Sequence, residues 1–149
     1  MGGYIQMNLT EKKNKTLKAL KDYELDRVFQ ITNETEEFIL FQSEQNGANG
    51  KYIISLQLDD RPFNGIYYYI AKLNNLGKKE NMLELLNSFN EENLLLKFFL
   101  NEDNVIMAQA MYIATDDNFN AHEYISLVSP AFRTIEDNFY SKIMRVIWG

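Results

Sequence analysis

KYIISLQLDDRPFNGIYYYIAKL, Lys51 to Leu73, is the stretch that decides the fold. In its first half Tyr52, Ile54, Leu56 and Leu58 alternate with Ile53, Ser55 and Gln57. A period of two sends alternate side chains to opposite faces of a strand. RPFNG (Arg61 to Gly65) breaks that pattern with Pro and Asn-Gly, the residues a turn selects. The alternation then resumes, with Ile66, Tyr68 and Ile70 set against Tyr67, Tyr69, Ala71 and Leu73. Upstream, EFILFQSE (Glu37 to Glu44) is β-branched and aromatic, and NGANG (Asn46 to Gly50) supplies residues that tolerate positive φ. Three strands joined by two short turns predict an antiparallel meander.

Helical patterns flank the meander. Thr10 is the expected N-cap of a first helix ending near Asp22, with Leu17, Ala19, Leu20 and Tyr23 on its apolar side. Lys12, Lys13, Lys15, Lys18 and Lys21 read as its solvated face. Leu25 to Ile31 reads equally as strand or as more helix. Beyond the meander, Gly77 opens a helix expected from Lys78 to about Asn90. Met82, Leu86 and Phe89 recur at i, i+4 and i+7, and Leu83 and Leu85 widen the stripe. LLLKFFL (Leu94 to Leu100), NEDN (Asn101 to Asn104) and VIMAQAMYI (Val105 to Ile113) predict a hairpin. A polar loop, Asp116 to Asn120, leads into a long helix from about Asn120 to Trp148. Its stripe is Ile125, Val128, Phe132, Ile135, Phe139, Ile143 and Val146. The ring of Pro130 conflicts with the Ser126 carbonyl, so a kink or restart is expected there.

The order is helix, three-strand meander, helix, hairpin, long C-terminal helix. It predicts an α+β fold: an antiparallel sheet of about five strands with helices mainly on one face. The expected organisation is a single domain over residues 1–149, with residues 1–9 a flexible N-terminal extension. Met7 is a possible native start.

The bulk numbers narrow the function. The chain has 149 residues, no cysteine, 46% hydrophobic residues and a formal net charge of −6. A chain of this length buries about 70% of the surface its unfolded form exposes, enough for a core. Without cysteine there is no disulfide framework, thiolate metal site or Cys nucleophile. An acidic surface repels a phosphate backbone, so nucleic acid is not the expected partner. No leader-like or membrane-spanning apolar run is present, which predicts a cytoplasmic protein with no membrane partner. The sequons at Asn8, Asn14 and Asn33 then carry no glycan.

Catalytic signatures are absent. His122 is the only His. It reads as a general base or ligand, or as a polar residue in the first turn of the last helix. The second reading is preferred, because no other His or Cys completes a transition-metal site. Asp59–Asp60 and Asp116–Asp117 lie beside turn signals, where Asp is common for backbone reasons. Phosphate loops, G-x-S-x-G and H-E-x-x-H are missing. The expectation is no catalytic residue, no cofactor and no metal.

What the sequence has in surplus is apolar surface. Ile106, Ala108, Ala110 and Tyr112 oppose Val105, Met107, Met111 and Ile113 on one strand, so both faces are apolar. The last helix carries Tyr124, Leu127, Tyr140, Met144, Ile147 and Trp148 outside its stripe. Surplus of this kind marks a partner surface, and Tyr67, Tyr69, Tyr112, Met144 and Trp148 are its expected interface residues.

LLNSFN (Leu85 to Asn90), LKFFLNEDNVIM (Leu96 to Met107) and the closing FYSKIMRVIWG together resemble the bacterial YbjN-like family. Leu86, Asn87 and Asn90 match that family's helix-end segment, and Lys97 and Phe98 its following strand. Asn104 stands where the family commonly has Gly in the acidic turn, and Pro130 is a second departure. The match covers about Gly77 to Gly149. The resemblance implies a fold similar to type III secretion chaperones, a role as a sensory-transduction regulator, and no catalytic residues. The expected function is a non-enzymatic protein-binding module, chaperone-like or a regulatory adaptor, acting as a homodimer on an unidentified protein partner. The alternatives are a small-ligand sensor using the Tyr-rich sheet face, or an inhibitor protein of a mobile element.

Overall fold

The computed structural model describes residues 8–48, 50–115 and 118–149. It is an α+β fold. A six-stranded sheet has the order β1-β2-β3-β4-β6-β5, with β1 Gln30–Glu34, β2 Phe38–Gly47, β3 Gly50–Asp59, β4 Phe63–Lys72, β5 Lys97–Leu100 and β6 Val105–Ile113. The helices are α1 Leu9–Asp22, α2 Lys79–Glu92, α3 Ala121–Ser126, α4 Val128–Thr134 and α5 Tyr140–Trp148. A 3-10 turn, Leu76–Lys78, precedes α2, and a π-helical turn, Ile135–Phe139, joins α4 to α5. The meander and the hairpin are present, and β1 is a sixth strand beyond the five expected. It is exposed throughout and pairs antiparallel with β2. Leu25 to Ile31 thus divides, turning at Leu25–Val28 and entering β1 at Gln30.

The chain forms two compact units. Unit 1 runs to Ser43 and adds Ser55–Ile66 and Met111–Val128; unit 2 is Glu44–Ile54, Tyr67–Ala110 and Ser129–Gly149.

In unit 1, α1 starts earlier than expected. Asn8, not Thr10, is its N-cap, and its side chain accepts from the Glu11 amide at 2.8 Å. Residues 1–7 of the expected extension lie outside the described residues, and Asn8 and Leu9 cap and open the helix. The buried side of α1 is Lys12, Thr16, Ala19 and Leu20, while Leu17 and Tyr23 are exposed. Lys12 is therefore a correction to the solvated-face reading, being only 4% exposed. Its Nζ donates to Asp59 O at 2.7 Å, Arg61 O at 2.9 Å and Asn64 Oδ1 at 3.2 Å. These acceptors bracket the β3–β4 turn, so one ammonium fastens α1 to that turn. Buried Asn64 passes the link on, donating to Tyr112 O. On α3, Tyr124 donates to Gly65 O at 2.6 Å.

In unit 2, Met82, Leu86 and Phe89 bury one face of α2, as their spacing predicts. Leu83 does not belong to that face and is 45% exposed. Phe89, Phe98 and Phe139 form a cluster with centroids 4.5 to 5.1 Å apart. Tyr52 packs edge-on to Phe132 at 4.8 Å. The strand β5 is shorter than LLLKFFL suggests, and the reason is local. Asn93 accepts from the Leu96 amide at 2.7 Å, and Asn90 bonds both backbone groups of Phe98, at 2.7 and 2.9 Å. The Asn93 bond holds Leu96 out of the ladder, while Asn90 occupies the free edge of β5 at Phe98, and Leu94 and Leu95 stay exposed. Asn104 has φ 61°, the left-handed conformation the turn requires.

The C-terminal helix is long in extent but not continuous. It breaks at Leu127, so Pro130 falls in the first turn of α4, where no N–H is needed. That is the expected restart. The π turn is a second interruption with no sequence signal.

Candidate interaction surface

The final turns of α5 set an exposed Trp148 beside a half-buried Met144. Tyr140 and Ile143 face the core, which turns Ser141, Met144, Arg145 and Trp148 outward along one stripe. Trp148 is 79% exposed and Met144 half-buried. The backbone beneath them is held: Lys78 Nζ donates to Ile147 O at 2.8 Å and to Gly149 O at 2.6 Å. A cation at a helix C-terminus is favoured by the unpaired carbonyls and the helix dipole. Met144 and Trp148 line a groove of about 520 Å³ with Tyr140, Ser141 and Arg145. On another side they line a cavity of about 320 Å³ with Ile147 and residues 71–75.

A further groove of about 610 Å³ runs along the start of α2. Leu76 and Leu83 supply its apolar floor, and Lys79, Glu80, Glu84 and Asn87 stand along it. Leu76 is 59% exposed. Sequence reasoning missed this groove because Leu83 sits one residue from Met82 and reads as the edge of the core stripe.

The remaining expected interface residues are divided. Tyr67 and Tyr69 are half-buried on β4 in unit 2, on the face opposite Tyr68, which faces Phe132. Val105 and Phe99 are half-buried on the same side as Met107, and Ile53 is exposed. Tyr112 lies in unit 1, engaged with neighbours of its own: its ring packs on Phe119 and Tyr124, both 5.9 Å away, and its hydroxyl donates to Glu123 Oε2 at 2.9 Å.

His122 occupies the first turn of α3, where its Nε2 meets Asp22 Oδ2 at 2.8 Å. That hydrogen bond is the main reason the Asp22 carboxyl titrates below its ordinary range. The pair ties the end of α1 to α3 beside a pocket of about 660 Å³ that includes Lys15 and Lys18. The Asp59 carboxylate is taken up by Arg61, with Nε–Oδ1 at 2.8 Å and the second guanidinium nitrogen at 2.9 Å from Oδ2. Asp116 and Asp117 lie outside the described residues. Among the described residues no three His, Asp or Glu gather as metal ligands, and no helix is long and apolar enough to cross a membrane.

No family model matches the chain, and neither a curated protein nor a solved structure matches it.

Proposed function

We propose that this protein is a non-enzymatic protein-binding module, a chaperone-like or regulatory adaptor of the cytoplasm that acts as a homodimer. The observation that carries the reading is Trp148, 79% exposed on a helix end that Lys78 holds in place. Exposing a large ring costs free energy unless a partner covers it, and a pre-ordered anchor loses little entropy on binding. The Tyr67–Tyr69 side of β4, set away from the helices that pack on Tyr52, Tyr68 and Phe98, supplies further apolar area.

The similarity to the YbjN-like family and to type III secretion chaperones belongs to the same proposal. Its support is local. Asn90 and Phe98, two residues of the matching segments, make a paired side chain–backbone contact that explains an Asn in the last turn of α2 just before a short strand.

The test is affinity capture of a tagged chain, with light scattering on the purified protein, comparing wild type with Trp148→Ala. The reading expects a self-dimer, with or without a stoichiometric protein partner, weakened by about 2 kcal/mol or more in the variant, with the melting temperature of the monomer unchanged. Equal association by both proteins, or a variant that loses stability instead, would refute it.

A further inference from the structure

We infer that the partner of the α5 stripe is the α2 groove of a second copy of this chain, in a twofold arrangement that makes the contact twice. The inference rests on the self-association reading above and assigns its surface. Charge distinguishes the two surfaces. The α2 groove has Glu80 and Glu84, with Lys79, beside Leu76 and Leu83, and is net negative. The α5 stripe has Arg145 between Met144 and Trp148, with Lys142 exposed nearby. Among the described residues, neither Arg145 nor Glu80 nor Glu84 has an ion-pair partner within the chain.

Three pairings of two copies are available. Groove on groove sets two surfaces of the same net negative charge together, each with two Glu to one Lys. Stripe on stripe sets Arg145 against Arg145. Stripe in groove joins surfaces of opposite net charge and, at the same time, places Trp148 over Leu76 and Leu83. Like-charge juxtaposition is a strong discriminator between docking modes, so the crosswise pairing is selected.

The stripe fits within the length of the groove. The stripe from Ser141 to Trp148 is about 10 Å long and the groove from Leu76 to Asn87 about 16 Å, at 1.5 Å per helical residue. Both features also lie in unit 2 and flank one residue. Lys78 belongs to the 3-10 turn that contributes Leu76, and it bonds the end of α5. A twofold interface must be self-complementary, with each copy offering both halves of the contact, and this unit does so.

The test uses two charge-reversal variants, Arg145→Glu and the double change Glu80→Arg with Glu84→Arg. All three positions are exposed, and circular dichroism checks that each variant folds. Dissociation constants are read by sedimentation. Each variant alone is expected to self-associate at least about tenfold more weakly than wild type, because both contacts in its dimer become repulsive. An equimolar mixture of the two is expected to recover dimer to near the wild-type level. In the mixed pair, one contact sets the reversed stripe of the first variant in the reversed groove of the second. The other contact sets native Arg145 against native Glu80 and Glu84, so opposite charges meet at both. A wild-type dimer that the folded variants leave unchanged, or that the mixture fails to restore, overturns this surface and leaves self-association standing. A wild type that stays monomeric overturns both.

Discussion

Replacing Lys12 by Met tests the central tie of unit 1. The substitution keeps the buried apolar stem and removes the ammonium. Asp59 O and Asn64 Oδ1, both at buried contacts, would lose their donor. Each buried acceptor left unmade costs about 1–3 kcal/mol. The attraction of the ammonium for the Phe119 ring, 5.5 Å away, is lost as well. Relief of the desolvation that the buried cation suffers in the wild type offsets part of this. The net expectation is a loss of about 3 kcal/mol, which lowers the melting temperature of a chain this size by ~6–12 °C. Denaturant unfolding with calorimetry reads it directly. Lys15→Met, on the exposed side of the same helix, is the control and should stay within about 0.5 kcal/mol of wild type. If Lys12→Met matched that control, the ammonium would be solvated and the fastening role would be wrong.

Three further outcomes follow from the same geometry. The Asp59 carboxyl is held down to about 2 from an ordinary 3.8, first by its hydrogen bond from the Arg61 side chain, so its contribution is complete above the ordinary value and is lost as pH falls toward 2. Asp59→Asn should therefore be less stable than wild type at neutral pH, with the gap in unfolding midpoint closing between about pH 4 and pH 2; a gap independent of pH would refute the pairing. Asn90→Ala removes both bonds to the Phe98 backbone and should cost about 1–2 kcal/mol, with faster amide exchange at Phe98. Tyr52→Phe should be neutral or stabilising by up to about 1 kcal/mol, because the buried Tyr52 hydroxyl has no hydrogen-bond partner among the described residues; a loss above about 1 kcal/mol would mean that it has one.

The parts of the fold that were legible are those where burial alone dictates the pattern. Tyr52 to Leu58 and Ile66 to Ile70 alternate because one side of each strand is core, and Met82, Leu86 and Phe89 recur because one helix face is. Elements governed by polar side chains were not legible. β1, QITNE, is exposed along its whole length and has no burial pattern to display. Lys12 hides in a run of lysines because nothing in a charge run marks the member that finds acceptors in a distant turn. Asn93, accepting from the Leu96 amide, holds the chain out of the strand before Lys97, where an apolar run alone predicts more strand.

The candidate surface divides in the same way. Trp148 and Met144 could be read as surplus, since one helix facing one core does not need them. The Leu76–Leu83 groove could not, because a Leu beside a core stripe reads the same whether or not a neighbour covers it. Composition groups Tyr112 with Tyr67 and Tyr69. Its place on β6 instead sets it against Phe119 and Tyr124 in unit 1, and only tertiary packing determines that.

The account turns on self-association through the exposed end of α5, and the most direct measurement is sedimentation velocity of the wild-type chain over a wide concentration range. The account predicts a species of twice the 17.5 kDa chain mass that gives way to monomer on dilution, with Trp148→Ala dissociating at higher concentration than wild type. A single species at the chain mass up to the highest attainable concentration, the same in both proteins, would contradict it.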